Sequence, residues 1–96
     1  MALKKYIIYI LECNNGSFYT GYTTNLERRY KEHLVGTSKC KYTRSFPPIK
    51  VAAYWSFESD VSLILKIEKK IKRLSKTEKI KLIENPNMIF HLKETL

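Results

Sequence analysis

Six consecutive aromatic, β-branched or leucine residues, Tyr6 to Leu11, are followed after a short gap by Asn14-Asn15-Gly16 and then by a second run, Phe18 to Thr23. A stretch that is apolar at every position, rather than at alternate ones, reads as a strand covered on both faces. Asn-Gly is the strongest short hairpin signal, because both residues tolerate the positive φ that a tight turn demands. The two runs are therefore predicted to pair as an antiparallel hairpin whose first arm is central in a sheet.

The rest of the chain fits around that hairpin. Thr24 with Glu27 makes a capping box, which predicts a helix over about 25–34 that ends at Gly36. Residues 37–48 are polar, close on Pro47 and Pro48, and read as a loop. Residues 49–57, with Val51, Tyr54, Trp55 and Phe57, read as a third strand. Ser59 or Asp60 then caps a helix over 61–74, and Ser75 with Glu78 caps a shorter one ending before Asn85 and Pro86. Met88 to Leu92 is open to a last strand. The expected fold is α/β in the α+β sense: a small three-stranded antiparallel sheet flanked by helices, in the order β-β-α-β-α-α. At 96 residues and 44% hydrophobic, the chain suits one domain over 1–96, with a core at about 6–83 and a tail at 85–96.

Eighteen Lys and Arg stand against nine Asp and Glu, a formal charge of +9 that favours polyanionic partners. The excess is clustered, with seven basic residues and one acid between Arg28 and Lys50, and eight and two between Lys66 and Lys81. A solvated lysine-rich surface gives the same composition, so charge alone does not assign a ligand. Cys13 and Cys40 lack C-x-x-C spacing and fit free thiols in a reducing compartment; with His33 and His91 they match no zinc-site spacing. The apolar run after Lys4 and Lys5 is too short for a signal sequence or a membrane span, so the expected location is the cytoplasm, with no membrane partner.

Two constellations carry chemistry. Val61, Ile64, Leu65 and Ile71 recur at helical spacing, and Glu68 falls among them. A carboxylate on an apolar stripe needs a cation, a hydrogen-bonding partner or a metal. The plainer alternative is a stripe-edge residue that reaches water or pairs with Lys72. On the first helix, Leu26, Tyr30 and Leu34 form the apolar side, and Arg29 and His33, four apart, are neighbours at its edge. A guanidinium offers bidentate donors to a phosphate and a neutral imidazole relays a proton, which suits phosphodiester chemistry, although an isolated Arg/His pair is more often structural. Tyr9 and Tyr19 sit on the two arms of the hairpin, where hydroxyls beside Arg29 and Glu68 would line a polar pocket.

These residues resemble the GIY-YIG nuclease superfamily, named for two short motifs on adjacent strands. They appear here as Ile8-Tyr9-Ile10, with Ile7 where the family name has Gly, and as Tyr19-Thr20-Gly21. Thr24-Asn25-Leu26-Glu27-Arg28-Arg29 followed by His33 looks like the family's first helix, and Glu68 like its metal-binding glutamate. Lys41-Tyr42-Thr43-Arg44 and Ile71-Lys72-Arg73-Leu74-Ser75 look particularly like the small stand-alone bacterial members, often called YhbQ-like. The resemblance covers roughly 6–83, and Asn85 or Asn87 is the residue available for the Asn that ends many family cores.

The resemblance implies an active site on one face of the sheet, with Tyr9, Tyr19, Arg29, His33 and Glu68 as catalytic residues. Glu68 would hold one divalent ion, Mg²⁺ or Mn²⁺, Arg29 the phosphate, and Tyr19 or Tyr9, aided by His33, the attacking water. An unassisted phenol, with pKa ~10, is a poor base at neutral pH, so that role needs help. The expected nucleic-acid contacts are Arg28, Lys41, Tyr42, Arg44, Lys69, Lys72 and Arg73. The function implied is a metal-dependent endonuclease acting on DNA, at branched or flap structures in repair or recombination. No appended DNA-recognition domain is expected, so selection would be by structure or charge. The alternatives are a non-catalytic nucleic-acid-binding module on the same scaffold, and a subunit whose protein partner supplies specificity.

Overall fold

The computed structural model of the chain describes residues 3–36 and 41–96. In order, its elements are β1 (Lys4–Cys13), β2 (Phe18–Thr23), α1 (Leu26–Val35), α2 (Lys41–Ser45), β3 (Pro48–Ser59), α3 (Val61–Lys72), α4 (Lys76–Glu84) and α5 (Met88–Glu94). The strands form one antiparallel sheet in the order β2-β1-β3, so the all-apolar run is the central strand, as its pattern predicts. The hairpin turns at Gly16, whose φ of 81° lies in the left-handed region. There Asn15 Oδ1 accepts from the Ser17 backbone N–H, and Cys13 N–H donates to Ser17 O. The register sets Tyr9 opposite Gly21 on one side and Tyr54 on the other.

Alternation along β1 sorts the sheet into two faces. Tyr6, Ile8 and Ile10 share one face with Trp55 and Phe57 of β3 and Phe18 and Tyr22 of β2. There they meet Ile64, Ile67 and Ile71 of α3, Leu82 of α4 and Ile89 of α5 in one apolar core. Each of those fully buried isoleucines contributes roughly 1.5–3 kcal/mol relative to exposure. Trp55 closes the core by donating its indole N–H to Pro86 O at 2.9 Å. Tyr9, Tyr19 and Gly21 belong to the opposite face, which α1 and α2 cover over β1 and β2. Over β3 that face is open: Tyr54 is 61% exposed.

Several local expectations are corrected. The cap of α1 is Asn25, not Thr24: the Asn25 side chain accepts from Arg28 N–H, and Thr23 Oγ1 supports the turn by accepting from Asn25 N–H. Leu34 is 49% exposed while His33 is fully buried, because α1 lies on the polar-lined tyrosine face rather than on the aliphatic core. The stretch expected to be a loop contains α2; its residues 37–40, with Cys40, lie outside the described residues. Val61 and Leu65 are exposed, and the buried stripe of α3 is Ile64, Ile67 and Ile71, capped by Asp60 rather than Ser59. The expected capping box of Ser75 and Glu78 is present at the start of α4. Met88 to Leu92 is helical, because Ile89 and Leu92, three apart, place one face of α5 on the core. Cys13 is a buried free thiol.

Candidate active site

The cluster begins with Tyr9, whose side chain is 1% exposed and lies across Gly21. A glycine is required opposite it: a Cβ built on Gly21 would come within 2.5 Å of the Tyr9 hydroxyl. That hydroxyl meets His33 Nε2 at 2.9 Å, and His33 Nδ1 meets Thr43 Oγ1 at 2.7 Å. Both hydroxyls can donate or accept, so a neutral imidazole, with one donor and one acceptor nitrogen, is satisfied at both ends. Burial, and then the Arg29 guanidinium, push the His33 pKa down from 6.5 to about 4, against the opposing pull of Glu32. The ring is therefore uncharged at neutral pH.

Tyr19 lies edge-on to His33, with ring centroids 5.0 Å apart. It is only half-buried, and its hydroxyl has no hydrogen-bond partner among the described residues, in contrast to the sealed hydroxyl of Tyr9. Of the two tyrosines, Tyr19 is the one able to meet a substrate or a water. Arg29 is one turn before His33 and partly exposed; Glu32 holds its guanidinium at 3.0 Å. With Arg28, Tyr22, Thr23 and Glu32 it lines a polar groove of about 490 Å³ at the end of β2.

Glu68 is carried by a different element. It belongs to α3, which packs on β1 and β2 from the face opposite Tyr9. Its side chain is 13% exposed at the flank of the isoleucine stripe, and Lys72 Nζ lies 3.5 Å from the carboxylate. The structure thus joins Tyr9, Tyr19 and His33 directly, sets Arg29 one turn away on α1, and carries Glu68 on α3. Among the described residues, no three His, Cys, Asp or Glu side chains converge as metal ligands. One hard carboxylate with room for solvent is nonetheless a donor set that fits Mg²⁺, which keeps several waters and takes one or two protein carboxylates.

The expected nucleic-acid contacts are dispersed. Arg28 lines the groove beside Arg29. Tyr42 and Arg44 are exposed on α2, where Arg44 packs over Gly36, and the side chain of Lys41 lies outside the described residues. Lys69 and Arg73 share a basic groove with Lys66 and Lys70, about 490 Å³ in volume, whereas Lys72 is the partner of Glu68. Asn85 caps α4 and donates its side-chain N–H to Lys81 O; Asn87 makes no side-chain cap bond. Two residues of the cluster escape a periodicity argument. Thr43 looks like an ordinary loop threonine, and Glu32 like one more surface acid, until the chain folds them against His33 and Arg29.

A family model described as the GIY-YIG catalytic domain matches residues 5–81. A UPF0213 protein of Syntrophus aciditrophicus is 42% identical over 85 residues, covering 88% of this chain and 97% of the relative. A UPF0213 protein of Cupriavidus necator is 49% identical over 78 residues, covering 81% and 83%. Among solved structures, the solution NMR structure of a UPF0213 protein from Bacillus halodurans matches with a TM-score of 0.53 at 41% identity, covering 83% of each chain.

Proposed function

The chain belongs to the GIY-YIG catalytic-domain family, and from that premise we propose that it is a divalent-metal-dependent endonuclease that hydrolyses DNA phosphodiester bonds. It selects its target by structure, at branched or flap intermediates of repair or recombination, in the cytoplasm. The observation that carries the reading is the buried Tyr9–His33–Thr43 chain with the Tyr19 ring edge-on to it and the Tyr19 hydroxyl without a hydrogen-bond partner among the described residues. A buried, uncharged imidazole held at both nitrogens fixes a half-exposed phenol where it can orient a water, and a simple binding surface has no use for such an arrangement. No helix among the described residues is long and apolar enough to cross a membrane.

In this reading Arg29 turns from Glu32 to the scissile phosphate, exchanging a carboxylate for a phosphate that its guanidinium can hold bidentately. Tyr19 orients the attacking water, and the neutral His33 ring, held by Tyr9 and Thr43, packs edge-on against Tyr19 and keeps it in place. Glu68 would hold Mg²⁺ or Mn²⁺, a group that supplies stabilisation of charge developing on the phosphate and leaving oxygen. Glu68 would leave Lys72 to take that ion. Arg28, Arg44, Lys69 and Arg73 would follow the flanking phosphates.

The Glu68–Lys72 pair supports a rival: a non-catalytic nucleic-acid-binding module in which Glu68 is a structural ion-pair partner. One experiment separates the two. Single-stranded, duplex, flap and branched DNA are incubated with Mg²⁺ or Mn²⁺, beside Glu68→Ala and a chelator control. Cleavage abolished by both controls is expected. Cleavage undiminished in Glu68→Ala would sink the enzyme reading, and salt-sensitive binding with no product would favour the binding module.

A further inference from the structure

The tyrosine face continues outward beyond the reacting cluster. Tyr42 stacks on Tyr19 with centroids 5.9 Å apart and planes inclined by 23°, and Phe46 follows at 5.4 Å from Tyr42. Tyr42 and Phe46 are four apart, joined by the Phe46 N–H to Tyr42 O bond of 3.0 Å, so both rings project from one side of α2. They remain 40% and 39% exposed, and neither belongs to the apolar core. The Tyr42 hydroxyl is tied to Ser17 Oγ and accepts from Asn15 Nδ2, which fixes the ring before any ligand arrives. Pre-organised aromatic surface left facing water, inside a stretch with seven basic residues and one acid, is the combination that binds unpaired nucleic acid: cations draw in the backbone and rings take the bases.

We propose that Tyr42 and Phe46 form a stacking platform for an unpaired nucleobase, extending the Tyr19–His33 pair outward by one base. The proposal deepens the nuclease reading and rests on it for the identity of the partner. Within a duplex both faces of a base are covered by its neighbours, so only a base in a single strand, bulge or flap offers a face to the rings. The platform thereby gives the site a reason to prefer DNA structure over sequence.

The test is binding in the presence of a chelator, so that it does not depend on cleavage. The DNAs carry 2-aminopurine at one position, as a single strand, as a bulge and as a fully paired duplex, and meet the wild type, Phe46→Leu and Tyr42→Leu. Wild-type protein is expected to quench the probe in the single strand and bulge, and Phe46→Leu to lose the quench along with roughly tenfold in affinity for those two DNAs. Duplex affinity is expected to change less than twofold. Equal quenching by Phe46→Leu and wild type would overturn the proposal, as would an equal loss on all three DNAs. If the wild type binds no DNA, the proposal falls with the binding-module reading, and the cleavage panel still judges the nuclease by itself. Circular dichroism of both variants confirms that the fold is retained, which is expected for rings this exposed.

Discussion

Replacing Gly21 by alanine tests whether the tyrosine of the first motif and the glycine of the second form one packed unit. The added methyl would lie 2.5 Å from the Tyr9 hydroxyl oxygen, 2.6 Å from Cζ and 3.2 Å from Cε1. Ordinary contacts between such atoms are ~3.5–4.0 Å, so two of the three are short by about 1 Å. Tyr9 has little freedom to yield, being 1% exposed and bonded to His33 at 2.9 Å. Overpacking in a close-packed interior costs typically ~1–3 kcal/mol, and overlap with two atoms of a tethered ring belongs at the upper end, near 3 kcal/mol. For a domain of this size each kcal/mol moves the melting temperature by ~4–8 °C, which gives an expected fall of roughly 12–24 °C. Urea and thermal unfolding of Gly21→Ala measure it, and the urea slope should stay constant if only the native state is affected. The same substitution in a Tyr9→Leu background identifies the cause. Without the ring, alanine in a strand is expected to be neutral, or better than glycine by up to ~1 kcal/mol. A penalty of the same size in both backgrounds would refute the ring-over-glycine argument, and a loss under 0.5 kcal/mol in the wild type would refute the overlap itself.

Three further outcomes follow from the same geometry. His33 has a folded pKa of about 4, below its ordinary 6.5, so its contribution to stability is whole above pH 6.5 and is lost as pH falls toward 4. Chemical denaturation between pH 7 and 4 should show a loss on the order of 3 kcal/mol that is absent in His33→Gln; parallel profiles would contradict the assigned shift. Thr43→Val removes the hydroxyl from Nδ1 and should cost ~1–3 kcal/mol. It should also drive the ring to the form protonated on Nε2, since a bare buried acceptor is tolerated better than a bare donor; ¹⁵N shifts of the imidazole report this, and unchanged shifts would speak against the contact. Ser75→Ala dismantles the capping box of α4 and should destabilise by ~0.5–2 kcal/mol in urea melts, with no effect on any cleavage.

The hairpin, the central position of β1 and the cap of α4 were legible in the sequence because each rests on a local rule: a continuous apolar run, an Asn-Gly turn, a Ser-x-x-Glu box. Periodicity failed where a helix meets a polar partner. On α1 it favours Leu34, yet the helix lies over Tyr9, so the residue that goes inside is the one able to share a hydrogen bond with a phenol, His33. It failed similarly on α3, where Ile67 displaces Val61 and Leu65 from the buried stripe and leaves Glu68 at its flank. Strand alternation separates Tyr9 from Ile8 in the sequence already, whereas spacing could not reveal that α1 covers the first face and α3 the second. That alternation has a chemical consequence. The aliphatic face fixes α3, and with it Glu68, chiefly through isoleucine packing. The tyrosine face is built from hydroxyls and an imidazole that each depend on a neighbour for position. Substitutions such as Ile67→Ala should therefore lower stability first and activity only through it, while Thr43→Val or Tyr9→Phe should alter the reacting groups in a protein that remains folded. The sheet separates the two costs because one strand, β1, supplies both sides.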